Sequence, residues 1–334
     1  MSTIPDIPGE TPSPRHPNAV ISEYLANHIP EYRELGWSNP AADEHFAQER
    51  QNADKPTAKA KDNFYRMTCA IGHELNTTTG GALIIPPSSH PPAILDLCLA
   101  PGGFSTTALA LNPTATLHGL TLPSSLGGYD VRIPRWRTHP RIAAIHFLDV
   151  TMLTSEMDLS FPIPDTHPDA GRFITTNPLP RLLRQLVLAM GRIKEGGTLV
   201  VVMHRADAWG TARVVETIRG FSERVQLFKP ARAHARKGSF YLVARGVMPG
   251  EAGEAVEWWR ELWRMATFGR GVGEGREGDQ GVGDGDDGGA EGEYEEGDDA
   301  KALLEAFGEE LVRLTAPVFK IQAQALRTAP YVGK

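Results

Sequence analysis

Cysteine is nearly missing from these 334 residues: there are two, Cys69 and Cys98, each in an apolar context and neither at metal-ligand spacing. That scarcity excludes a disulfide scaffold and a cysteine-built metal site, and a reducing compartment is the simple reading. No apolar run approaches the roughly 20 residues that span a bilayer. No basic-then-apolar segment opens the chain either. The expectation is a soluble intracellular protein of cytoplasm or nucleus with no membrane partner. Positive charge is also in deficit, with a net charge of −7. The deficit is concentrated, however: residues 271–299 hold 11 glycines and 12 carboxylates against Arg276 alone, a net of −11. The remainder therefore carries +4, so bulk acidity does not exclude an RNA partner.

What is present is organised around Ile94 to Leu109. A short apolar run, Ile94-Leu95-Asp96-Leu97-Cys98-Leu99, suits a buried strand and is too short for a helix. Ala100-Pro101-Gly102-Gly103 breaks it, and Phe104 to Leu111 resumes at helical spacing. A strand, a glycine turn and a helix N-terminus make a nucleotide-binding corner, because glycine permits close approach and the first N–H groups of a helix are free. Asp96 is costly in an apolar strand unless hydrogen-bonded, so it is expected to brace the turn. The corner has neither the Lys-Ser/Thr of a P-loop nor the dinucleotide G-x-G-x-x-G.

The stretch D-L-C-L-A-P-G-G-F-S resembles motif I of the FtsJ-like (RrmJ-type) methyltransferases. In texture the chain is most similar to fungal proteins carrying an FtsJ domain, and the likeness runs from about Ala58 to Val247. The resemblance implies S-adenosylmethionine as cofactor, held by Asp96, Ala100, Pro101, Gly102, Gly103, Phe104 and Ser105. Valine at Gly102 or Gly103 is then expected to block the cofactor without unfolding the domain. The resemblance also implies RNA ribose 2′-O-methylation as the activity. The family's acidic residue after the second strand is missing, leaving Thr121 and backbone for the ribose; Asp149, ending the third strand, matches the adenine-side acidic residue or caps a turn.

The family's catalytic K-D-K-E tetrad reads here as Arg66, Asn177, Val202 and Ser239. Arginine is effectively never neutral and valine does no proton chemistry, so a catalytically degenerate module that binds S-adenosylmethionine or RNA is the alternative to an active enzyme. His204 lies on the same strand face as Val202, one pleat nearer the carboxyl end. It could serve as the proton acceptor, or merely cap the strand end. In the first case Asn177 orients the acceptor, and Arg66 or Arg205 holds a phosphate.

Two basic segments could hold RNA or be solvated loops. One is an insertion at 123–141 with Arg132, Arg135, Trp136, Arg137 and Arg141, cations interleaved with an aromatic. The other follows the sixth strand, with Lys229, Arg232, Arg236 and Lys237.

The fold expected is α/β: a Rossmann-like methyltransferase with a seven-stranded, mostly parallel sheet, helices on both faces, and helical additions at both ends. In order, the chain divides into a Pro-rich disordered tail (1–19), an N-terminal helical extension (20–80) and the methyltransferase domain (81–250). A Trp-rich helix (251–270), an acidic Gly-rich disordered linker (271–299) and a C-terminal helix and tail (300–334) follow. Strand four is expected at Arg172 to Asn177 and a second polar helix near Pro40 to Ala53. In the Trp-rich helix, Trp258, Trp259 and Trp263 are spaced to dock it as core. Oligomeric state is not legible.

Overall fold

The computed structural model describes residues 16–35, 57–87, 91–150, 153, 157, 178–268 and 296–329. The expected fourth strand and the polar helix near Pro40 lie outside the described residues, as do the Pro-rich segment up to residue 15 and residues 269–295. Six strands are described, in two three-stranded sheets.

The first sheet is parallel, in the order β1 (Ala93–Asp96), β2 (Thr116–Thr121), β3 (Ile142–Phe147). The second is antiparallel, with β6 (Ser239–Val247) between β4 (Gly197–His204) and β5 (Ser222–Phe228). The apolar run expected as a buried strand forms β1 over Ala93–Asp96 only, three residues short of Leu99, and none of these four residues is fully buried. Among the described residues β1 pairs with β2 alone and β4 with β6 alone, and the described residues of these two edges line a common cleft.

Three apolar clusters hold the layers. On one face of the second sheet, Leu199, Val201, Met203, Phe240, Leu242 and Ala244 pack against five helices. These are α1 (Pro17–His28), α5 (Pro178–Met190), α6 (Trp209–Gly220), α7 (Gly253–Phe268) and α8 (Glu296–Arg327). The short α2 (Pro30–Arg33) adds Tyr32. On the opposite face Phe228, Tyr241 and Val243 meet Ile71 and Leu75 of α3 (Ala58–Thr78). The third cluster joins Leu99, Leu109 and Leu117 to Ile133 of the insertion, under α4 (Gly103–Leu111). Period-two alternation along β4 divides its side chains between the first two clusters, so Val200, Val202 and His204 share the α3 side.

Trp259 and Trp263 are completely buried, as their spacing suggested. Trp258 instead lies 4.8 Å from the guanidinium of Arg213, which also covers Trp209. The C-terminal helix takes up most of the segment expected as helix and tail, running from Glu296 through Pro317 to Arg327. Proline removes one intrahelical bond, but Pro317 faces outward while Val318 and Phe319 are buried and keep the helix seated. Among the described residues no helix is long and apolar enough to cross a membrane.

Candidate functional site

Asp96 closes β1, and its carboxylate accepts from the Ser105 hydroxyl at 2.6 Å and from the Cys98 N–H at 3.2 Å. Strand end and helix start are thereby tied across the glycine turn. Burial pushes the Asp96 carboxyl above the usual carboxylate range, and these two hydrogen bonds act the other way. A third brace comes from β2, where Thr121 Oγ1 accepts from the Ala100 N–H at 3.4 Å. Asp96 and all of residues 100–105 line the cleft between the sheets.

The two glycines have a role that sequence reasoning missed. Gly102 takes a left-handed φ of 98°, and a Cβ there would stand 2.4 Å from Ile133. A Cβ on Gly103 would meet Thr68 Oγ1 at 2.1 Å, the Cys69 nitrogen at 2.6 Å and the Tyr65 carbonyl at 2.7 Å. Both glycines are thus required by the protein's own packing: the insertion leans on the first, and α3 lies against the second. The expectation that valine there would spare the fold is corrected. The turn faces the cleft, and there is no empty space at its glycines.

Thr121 is also placed differently from expectation. His118 and Leu120 line the cleft, while Thr121 alternates to the opposite side and is buried. It braces the turn and does not open onto a ribose site. Asp149 is not among the cleft-lining residues either. Its charge acts on Arg184, a buried guanidinium of α5 stacked 4.1 Å from the Trp263 ring centre. Burial pushes Arg184 down to about 10, and Asp149 counteracts this.

At the end of β4, His204 is exposed and lines the same cleft as the turn, together with Val202, Arg205, His234 and Tyr241. Val202 is 51% exposed, so no side chain chemistry stands where the tetrad lysine is expected. Although the residue as a whole is exposed, partial enclosure of its ring, then the positive charge of Lys229, hold the His204 imidazole below its ordinary pKa. Arg205 adopts a left-handed φ of 51° and reaches Asp207 at 3.4 Å. The Asp207 carboxylate is buried and accepts from the Tyr32 hydroxyl at 3.3 Å, a long-range support that no sequence spacing announces. Ser239, the strand partner of His204, is half-buried.

The remaining sequence-derived positions separate. Asn177 lies outside the described residues. Arg66 opens into another, smaller pocket of about 480 Å³, shared with Tyr65, Asp62 and Arg132, and does not line the cleft with His204. The insertion is strapped to α3: Lys61 pairs with Asp130 at 2.9 Å, Arg132 with Asp62, and Phe64 with Tyr129 at 5.2 Å. Arg141 is spent on the Leu109 and Asn112 carbonyls. Trp136 is half-buried, with Phe147 at 5.7 Å and the Arg137 guanidinium 4.2 Å from its ring centre, so part of the ring is already occupied. Arg135 is exposed.

In the second basic segment Arg232 and Lys237 are exposed, and Arg236 is half-buried with a 3.4 Å bond to the Ala325 carbonyl. Lys229 is a correction. It is 2% exposed, and its ammonium donates to the carbonyls of Lys237 and Ser239, so it cannot meet a phosphate. Burial pushes it down to about 7.

A parallel strand, a glycine turn at its carboxyl end and a helix starting there define an α/β domain built to present a small ligand to the strand ends. Residues 84–247, just under half of the chain, match the family model of the FtsJ-like methyltransferases. No curated protein sequence matches the chain closely enough to count as a relative.

Proposed function

We propose that this protein transfers a methyl group from S-adenosylmethionine to a ribose 2′-hydroxyl of RNA. The observation that carries the proposal is the braced turn of motif I, which lines one cleft with an exposed histidine at the end of β4. When bound against residues 96–105, S-adenosylmethionine supplies a strongly electrophilic methyl sulfonium. The protein then has to align the hydroxyl and accept its proton. In this reading the His204 imidazole takes the proton, Arg205 holds an adjacent phosphate, and Asn177 orients the hydroxyl. Arg66, in its separate pocket, is left with a phosphate contact at most.

A second reading is favoured by one observation: the exposed aliphatic side chain of Val202 at the position of the tetrad's basic lysine. Under it the domain binds S-adenosylmethionine or RNA without catalysing transfer. Isothermal titration with S-adenosylmethionine and tritiated-methyl transfer to total RNA separate the two. The active reading expects saturable binding, and label in RNA that falls by roughly 10²-fold or more in His204→Ala, the usual range for losing a general base. Binding without transfer supports the second reading. Absence of binding by the folded protein overturns both for the cofactor.

A further inference from the structure

Arg205 follows directly on β4 and lines the cleft beside His204, and it is held at both ends. Its φ of 51° is left-handed, a conformation that a non-glycine residue keeps only where its surroundings over-determine it. Two backbone bonds do so here. The Arg205 N–H donates to the Gly238 carbonyl at 3.1 Å, and its carbonyl accepts from the Ala208 N–H at 3.0 Å. At the far end of the side chain, one guanidinium nitrogen donates to Asp207 Oδ2 at 3.4 Å. The arginine side chain is still 56% exposed, whereas that of Asp207 is only 2% exposed. The enclosed carboxylate is the anchor, and the guanidinium is what it holds.

Asp207 is itself fixed from outside the family match. The Tyr32 hydroxyl of α2 donates to the same Oδ2 at 3.3 Å, and Ser22 of α1 hydrogen-bonds that phenol in turn. Burial, above all, pushes the Tyr32 phenol up to about 12, so it stays a donor. Its ring lies 4.6 Å from that of Phe319 in α8. The other carboxylate oxygen, Asp207 Oδ1, is buried with no hydrogen-bond partner among the described residues. An oxygen in that state is a cost, and a buried ion pair is often no more stable than apolar residues of the same shape. Stability alone therefore does not account for an aspartate at this position.

We infer that Asp207 and Tyr32 are positioning residues for RNA: together they hold the Arg205 guanidinium in the cleft wall, ready for a phosphate. This rests on the reading of Arg205 as the phosphate contact. A guanidinium fixed beforehand loses less conformational freedom when the phosphate arrives. The N-terminal helices thereby supply part of the RNA site, through a residue that precedes the family match. A phosphate contact carries no sequence information, so any single-stranded RNA reports on it.

The test is a double-mutant cycle on the full-length protein, read by fluorescence anisotropy of a labelled single-stranded oligouridylate. Arg205→Ala should weaken binding and lower the slope of log affinity against log salt by about 0.7, the share of one phosphate. Asp207→Ala should weaken it roughly 2- to 10-fold, the range for ordering one long side chain. Asp207→Asn keeps an acceptor for both donors and should restore most of the loss. In the Arg205→Ala background, Asp207→Ala should cost nothing further, and affinity for S-adenosylmethionine should not change. Should Asp207→Ala not fold, Tyr32→Phe takes its place, since it removes one hydroxyl and leaves the ring beside Phe319. A loss that is the same with and without Arg205, or no loss at all, marks these residues as structural and overturns the inference. Unchanged binding in Arg205→Ala overturns it as well and removes the phosphate contact from the proposed mechanism. A folded wild type that binds no RNA overturns the RNA reading as a whole, this inference with it.

Discussion

Gly103 sets its own limit on substitution, because two of the three atoms a Cβ would meet belong to the backbone of α3. Overpacking of this kind typically costs about 1–3 kcal/mol, and a β-branched residue should lie at or beyond the upper end. Gly103→Val is expected to lower the urea midpoint before any ligand is added; an unchanged midpoint would show that α3 can move away. Lys229 makes a second residue-scale prediction, through pH. Its folded pKa, about 7, lies below the ordinary 10.5, so between those values the unfolded chain binds more protons. Stability should therefore rise with pH across that window, by at most about 1.4 kcal/mol per pH unit from this group, and be lost as pH falls through about 7. Urea unfolding at several pH values should show a shallower slope in Lys229→Met than in wild type. Neither residue was legible in its true role. The glycines read as ligand space because their neighbours, Thr68 and Ile133, are distant in sequence. Lys229 read as exposed, to RNA or to solvent, because it stands in a run of cations, and only the register of β5 on β6 reveals the carbonyls that receive it.

Among the elements, α6 starts on Ala208, which offers no side-chain cap. The cap comes instead from Asn18 of α1, whose Oδ1 accepts from the Trp209 N–H at 2.7 Å. Asn18→Ala should cost about 0.5–2 kcal/mol, the usual range for a lost N-cap, read as a lower melting temperature. The loop from β5 to β6 carries the other element-scale prediction. With Lys229 withdrawn from the surface, Arg232, Arg236 and Lys237 are the cations left to meet phosphates. If RNA binds there, replacing all three by alanine should weaken it and flatten the slope of log affinity against log salt. The slope should fall by about 0.7 for each phosphate that is no longer neutralised. Equal slopes for variant and wild type would leave the loop a solvated surface. The glycine turn and the helix after it were legible almost to the residue, since Ala100-Pro101-Gly102-Gly103 breaks the apolar run and helical spacing resumes at Phe104, one residue after α4 starts. Thr121 was misplaced because, at a strand end, one step of the alternation decides which side a hydroxyl serves.

At the scale of the molecule, the sequence order of a glycine-turn strand, its helix and a closing antiparallel strand was enough to expect an α/β methyltransferase-type domain. It was not enough to see that segments outside the family match share its core. Ile21, Leu25 and Tyr32 from the N-terminal side and Leu311, Val318 and Phe319 from the C-terminal side are buried in the same cluster as β4 and β6. The seat of Gly103 has the same consequence. Thr68, Cys69 and Tyr65, which it needs as neighbours, all precede residue 84, where the family match begins. A fragment cut at the ends of the match would leave α4 with its glycine face in water and the second sheet stripped of α3 on one face and of α1, α7 and α8 on the other. Such a fragment is expected to aggregate rather than bind, and a negative result from it would say nothing about the whole chain.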